Sequence, residues 1–439
     1  MSVRESVENA YKWFIEIIGD SLWESRRKLL IESLHKAQED SESSSLLEET
    51  KSVSSPRDRF GWYLYLIEAE LHHPQSGDAF QLSRIFPWFE AIGRDLSAIS
   101  QIPGIDKKRR ELFAKPSQAD SILFEILVAA CYVRNGWEVE ITPEKSARVT
   151  DLVARRAGEQ LYIACRRLSK DTGYAETERQ SWLRKWKAAL AMLEPTKASI
   201  HFEVIFKNEL ISIPNDAISR TLIHYVRNGF MNSGTFINRP GFSICAHSID
   251  MREVDFRLYK RPVKPNSPEM LKLLSGDYQW WCGYTNKLTP SERHEAGNLG
   301  IYPPSVQFAG LQRAISAKWQ CLADSSIDKK TNDVHKRATE AAKQIPEHCQ
   351  GVIHIGYERI DGEEIEAKHI SRIGKTLAKF SSPKNDIKGI VCHAIATYAE
   401  VGELKRSESV HPFMLGGPAE ALEPILAQPS LLNPEPAAA

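Results

Sequence analysis

Thr150-Asp151-Leu152-Val153-Ala154-Arg155-Arg156-Ala157-Gly158-Glu159-Gln160-Leu161-Tyr162-Ile163-Ala164-Cys165-Arg166-Arg167 is the stretch that decides the fold. Two short apolar runs flank Ala157-Gly158-Glu159, which reads as a tight turn between two strands. A hairpin centred between Ala157 and Gly158 sets Asp151 directly opposite Ala164. Cross-strand partners project to the same face. Tyr162, Ala164 and Arg166 therefore share a face with Asp151 and Val153. Leu161, Ile163 and Cys165 share the other with Leu152 and Ala154. The second set is apolar and is expected to pack on a helix. A slip of one residue would reverse every side chain, so this alternation fixes the register.

Working outward, Ser121 to Val133 reads as an apolar helix that Asn135-Gly136 stops, as a left-handed cap does. Trp137 to Ile141 reads as a short strand. Tyr174 to Leu190 is expected to be a helix, with Trp182 and Trp186 one turn apart and packed on a sheet. Ile200 to Lys207 reads as a further strand. The expected order over residues 119–207 is thus helix, three antiparallel strands, helix, strand.

This segment resembles the PD-(D/E)XK nuclease superfamily, the restriction-endonuclease-like fold, over roughly a fifth of the chain. That family places an Asp at the start of the hairpin and Glu-x-Lys on its second strand, often after a helix bearing a Glu. Asp151 matches the Asp and Glu125 the helical Glu. Ala164-Cys165-Arg166 falls where Glu-x-Lys would be, so the Glu is lost and the Lys has become Arg. The resemblance implies Mg²⁺ as cofactor, held by Asp151 and Glu125 with help from the Cys165 carbonyl. Hard cations take oxygen ligands, activate water and neutralise phosphate. Asp151, Glu125 and Arg166 are the candidate catalytic residues. Arg166 cannot be a general base, because a guanidinium stays protonated, but its planar fork suits phosphate. Glu140, Glu176 and Glu178 are candidates for a migrated second carboxylate. The other reading has Asp151 as a structural partner of Arg166.

Arg166, Lys170, Arg184 and Lys187 are the expected phosphate contacts. From Glu144 to Lys187 there are eleven Lys/Arg and six Asp/Glu, a net of +5, in a chain whose formal net charge is zero. Basic charge thus gathers on the hairpin and the following helix, although a solvated helix face would look the same. DNA or RNA is the expected partner, and a homodimer is left open. The resemblance suggests a bacterial setting in defence or DNA processing. The competing reading is a non-enzymatic scaffold, since fold does not fix function.

The 439 residues point to several domains in a mixed α/β protein. Residues 1–115 read as a helical region, 116–210 as the nuclease-like core and 211–315 as an irregular insertion. Residues 316–415 read as α/β elements that extend the core sheet or form their own, and 416–439 as a disordered tail. Within the first region, Glu39 to Ser45 reads as an exposed loop. Trp280-Trp281 with Tyr278 and Tyr284 could stack bases, or form local core. His348, Cys349 and His354 have only loosely metal-like spacing. Seven scattered cysteines without a C-x-x-C pair suggest reduced thiols in a cytosol. A charged N-terminus without an apolar segment argues against a signal peptide. No apolar run approaches a membrane span of about 18 residues.

Overall fold

A computed structural model describes residues 1–43, 58–73, 79–142, 150–168, 173–228, 235–296, 305–359, 362–382, 384–414 and 424–426. The protein is mixed α/β, with two sheets and a helical N-terminal region. The first helices are α1 (Val3–Glu16), α2 (Asp20–Ser43), α3 (Arg59–His72), α4 (Ala79–Arg94), α5 (Leu96–Ile99) and α6 (Ile105–Ala114). The expected loop at Glu39 is instead the end of α2 as far as Ser43. Residues 44 and 45 lie outside the described residues. The helix is highly polar, so its pattern carries little apolar periodicity to read.

Next come α7 (Ala119–Arg134), β1 (Glu138–Ile141), β2 (Leu152–Arg156) and β3 (Glu159–Arg167). Asn135 and Gly136 end α7, with Gly136 at φ 76°. The hairpin has the expected register. Leu152 pairs with Ile163 and Val153 with Tyr162; Asp151 lies just before the paired residues, and its carboxylate turns to Cys165 N–H while Ala164 faces the layer under α12. Ala157 and Gly158 both take positive φ, 49° and 84°. That conformation matches the twist of a two-residue hairpin.

The remaining elements are α8 (Gly173–Leu193), β4 (Ile200–Phe206), α9 (Ala217–Asn228), β5 (Thr235–Arg239), β6 (Phe242–Ser248), α10 (Met251–Lys260), α11 (Pro268–Ser275), β7 (Gly283–Ala296) and β8 (Ser305–Cys321). They are followed by α12 (Asp324–Ala342), β9 (Gln350–Glu358), α13 (Glu363–Leu377), β10 (Asp386–Glu400) and β11 (Glu403–Met414). The first sheet has the order β1-β2-β3-β9-β10-β11, and the second β5-β6-β4-β8-β7. β3 runs parallel to β9, and β9 to β10.

The strand expected to complete the core, β4, lies in the other sheet, parallel to β8. β9 takes its place beside β3, reached through α12, which packs on both strands. The reading of 116–210 as one core is thereby corrected. α7 to β3 join α12 to β11 in the first sheet, while α8 and β4 belong to the second. Residues 211–315 are not irregular, because they supply β5 to β7 and most of β8. The strands after residue 345 extend the first sheet. In the C-terminal segment, Ile425 and Leu426 are fully buried in the same core as α7, so this part of the expected tail is docked.

Leu152, Ala154, Leu161, Ile163 and Cys165 pack with α7, as the alternation implies. The opposite face of β3 is covered by α12, with Ala164 wholly buried in the layer that holds Ala338, Ala341 and Ile353. Trp182 and Trp186 do pack on a sheet, but the second one, against Phe206, Trp319 and Phe202. Burial of each such side chain contributes about 1.5–3 kcal/mol.

A buried hydrogen-bond chain crosses the first sheet. The Tyr132 hydroxyl lies 3.0 Å from His354 Nε2, and His354 Nδ1 lies 2.9 Å from His393 Nε2. His393 Nδ1 is 2.8 Å from Glu408 Oε1. Glu408 also accepts from the backbone N–H groups of Ile425 and Leu426, at 3.0 and 2.8 Å. Burial, and then the neighbouring His393, push the His354 pKa well down, which keeps its ring neutral. His354 is thus a structural link, while His348 sits in a turn at φ 63°.

Candidate functional site

Asp151 precedes β2 at the point where β2 stops and β3 runs on. Its backbone carbonyl accepts from Thr142 N–H at 3.1 Å, and its Oδ2 accepts from Cys165 N–H at 2.7 Å. The carboxylate therefore satisfies a donor on β3 that has lost its neighbouring strand, as buried backbone groups require. Arg166 Nη1 lies 3.3 Å from the same Asp151 Oδ2 and 2.5 Å from the Cys165 carbonyl oxygen. One guanidinium nitrogen thus bridges the hairpin carboxylate and the carbonyl of the following strand.

Glu125 approaches from α7. Its Oε2 is 2.6 Å from Lys108 Nζ, and Lys108 also lies 3.3 Å from Glu111. Side-chain exposure is 8 % for Lys108, 11 % for Glu125, 15 % for Asp151 and 20 % for Arg166. With Glu111 they form a nearly closed cluster of three carboxylates and two cations. Burial raises the Glu125 pKa to about 7, Asp151 pushes it the same way, and Lys108 opposes the shift. Asp151 is also raised by burial, against the pull of Arg166 and the Cys165 N–H. Burial works to lower the Lys108 pKa, but Glu125 outweighs it and the net shift is upward. The Cys165 thiol is pushed well up by burial, so it is no thiolate nucleophile.

Of the residues expected at the site, Asp151, Glu125 and Arg166 are brought together. Lys170 lies outside the described residues. Arg184 and Lys187 are exposed on α8, whose buried face belongs to the second sheet. The carboxylates considered as replacements are engaged elsewhere. Glu140 pairs with Arg155 at 3.1 Å, Glu176 with Arg179 at 2.8 Å, and Glu178 accepts from Ser326 at 2.8 Å. Ala164 faces an apolar layer under α12, so a carboxylate there would be buried in hydrocarbon. Lys108 was not legible as a site residue. The charged run Asp106-Lys107-Lys108-Arg109-Arg110-Glu111 carries no motif, and the packing of α6 on α7 is what buries Lys108.

The donor set does not fit the Mg²⁺ that the resemblance implies. Asp151 Oδ2 and the Cys165 carbonyl both serve Arg166, and Glu125 serves Lys108. Among the described residues, no group of three or more His, Cys, Asp or Glu converges as a ligand set. Lys108 holds Glu125 and Glu111, and Arg166 holds Asp151, so the carboxylates are engaged by resident cations, whereas a hard divalent ion needs several oxygens to itself. Among the described residues, no helix is long and apolar enough to cross a membrane. Compared with family models, curated proteins and solved structures, the chain matches none of them.

Proposed function

We propose that this chain is a cytosolic nucleic-acid-binding protein built on a PD-(D/E)XK-like core whose hydrolytic site is degenerate. The Arg166 guanidinium between Asp151 and the Cys165 carbonyl carries this reading. It puts a permanent organic cation where the related enzymes hold their metal. The helix, the antiparallel meander β1-β2-β3 and the parallel strand β9 behind α12 support the family comparison. Lys108 and Arg166 are each paired with a carboxylate and are not free to deprotonate a water. What the site can do is keep the hairpin rigid and hold Arg166 in a fixed pose at the end of β3.

Fluorescence anisotropy with single- and double-stranded DNA and RNA tests the binding half of this reading. Affinity is expected to fall steeply as salt rises, since phosphate neutralisation releases counterions. No binding to any of the four at low salt would favour a scaffold that reuses the fold without a nucleic-acid partner.

A further inference from the structure

A second place in the molecule has the opposite character to the Asp151 cluster. It is a shallow cleft, open to solvent, between α3 and α4, the carboxyl ends of β9 and β10, and the segment just before β7. In open α/β sheets, ligands bind outside the carboxyl ends of parallel strands. β9 and β10 are parallel, and Glu358, Arg359, Thr397 and Tyr398 line the cleft near those ends.

One wall is aromatic. Trp280 stacks on Tyr398 with ring centroids 4.4 Å apart and planes 10° apart, and both rings are partly exposed to the cleft. The other wall is cationic. Arg59, Arg84 and Arg359 line it with a single carboxylate, Glu358. Arg84 lies 2.7 Å from Glu358, which also takes the buried Arg167 at 3.4 Å from behind. Arg59 is 2.9 Å from Asp120. Arg359 has the buried Glu366 of α13 within reach of its charge, so four guanidiniums meet three carboxylates. Arg359 has a buried Nε without a hydrogen-bond partner among the described residues. A flat π slab beside surplus guanidinium charge matches a planar heterocycle bearing an anion. Base–aromatic stacking supplies one part of such recognition, and the planar fork of arginine the other.

We propose that this cleft is a binding site for a nucleoside phosphate, with the base on the Trp280–Tyr398 slab and the phosphate at Arg359. The site does not depend on the Asp151 cluster or on the nucleic-acid reading. The ligand is a free nucleotide or the phosphorylated terminus of a strand, and the two share one chemistry.

Calorimetric titration of the full chain tests this. The titrants are the four nucleoside monophosphates, adenosine, inorganic phosphate and a short 5′-phosphorylated oligonucleotide with its unphosphorylated twin. At least one monophosphate is expected to bind about tenfold or more tighter than adenosine or phosphate alone. Trp280→Ala and Arg359→Gln should each weaken it by about tenfold, within the range of stacking and charge-assisted contacts, with the fold retained. If the phosphorylated oligonucleotide binds at least as tightly as the monophosphate and its twin does not, the source is a strand terminus. If the monophosphate is preferred, it is the free nucleotide. The proposal is overturned if no monophosphate binds up to millimolar concentration, or if a folded Trp280→Ala and a folded Arg359→Gln both bind as the parent does. Retention of monophosphate binding by Asp151→Ala separates this site from the hairpin.

Discussion

The Asp151 cluster and the cleft at the ends of β9 and β10 use the same kinds of side chain to opposite effect. In the cluster, Lys108 and Arg166 each meet a carboxylate, and all five side chains are at most one-fifth exposed. In the cleft, guanidiniums outnumber carboxylates and the aromatic slab remains partly open. The first arrangement has its counterions built in; the second leaves charge to be completed by a ligand. If the cleft binds as proposed, similarity to a catalytic motif is a poor guide to a ligand site in this chain. Charge balance and access are better guides, because a buried pair gains little from an added ligand and loses much when one partner goes.

Removal of one partner is the strongest way to break the contrast. Lys108→Met strands Glu125 beside Asp151 and is expected to lower unfolding free energy by roughly 3–5 kcal/mol. Lys108→Met with Glu125→Leu should recover most of that loss in urea unfolding. An additive double mutant would mean that the two residues do not act as a pair.

Proton uptake gives a somewhat smaller effect. Glu125 titrates near 7 in the folded chain, against an ordinary value of 4.5. Between those values the folded state holds more protons than the unfolded state, so this group favours folding progressively as pH falls through 7. Above 7 the cost of its buried charge is fully present. The stability of the parent relative to Glu125→Gln should therefore rise from about pH 8 to about pH 5, by roughly 3 kcal/mol at most. A flat or falling difference would contradict the raised pKa.

The smallest effect belongs to the cleft. Arg359→Gln should change stability by about 1 kcal/mol, well below Lys108→Met, because Arg359 is only half-buried and makes no ion pair within 4 Å among the described residues. A loss as large as that of Lys108→Met would make the cleft a structural network like the cluster and erase the comparison.

The hairpin was legible because its evidence is local. Alternation from Leu161 to Arg167 gave the register, Ala157-Gly158 the turn, and the apolar set the face that packs on α7. The identity of β3's neighbour was not. Ile200–Phe206 and Gln350–Glu358 are both apolar runs of strand length, and the choice between them is made by long-range pairing that no window of sequence contains. For the same reason the second sheet read as an irregular insertion, although its strands pair regularly. Asp151, Glu125 and Arg166 could be found from the motif, whereas Lys108 and the three arginines of the cleft lie in segments without one. Their roles arise only where α6 meets α7, and where α3 and α4 meet the strand ends.

The most direct measurement of the central claim combines binding and cleavage on one sample. The chain is incubated with labelled single- and double-stranded DNA and RNA at low salt, with Mg²⁺ or Mn²⁺, and both retention and product length are read. The account predicts salt-sensitive retention without cleavage, in the parent and in Asp151→Ala alike. Metal-dependent cleavage by the parent that Asp151→Ala abolishes would contradict it, and would show that Arg166 yields its place to an ion when substrate is bound.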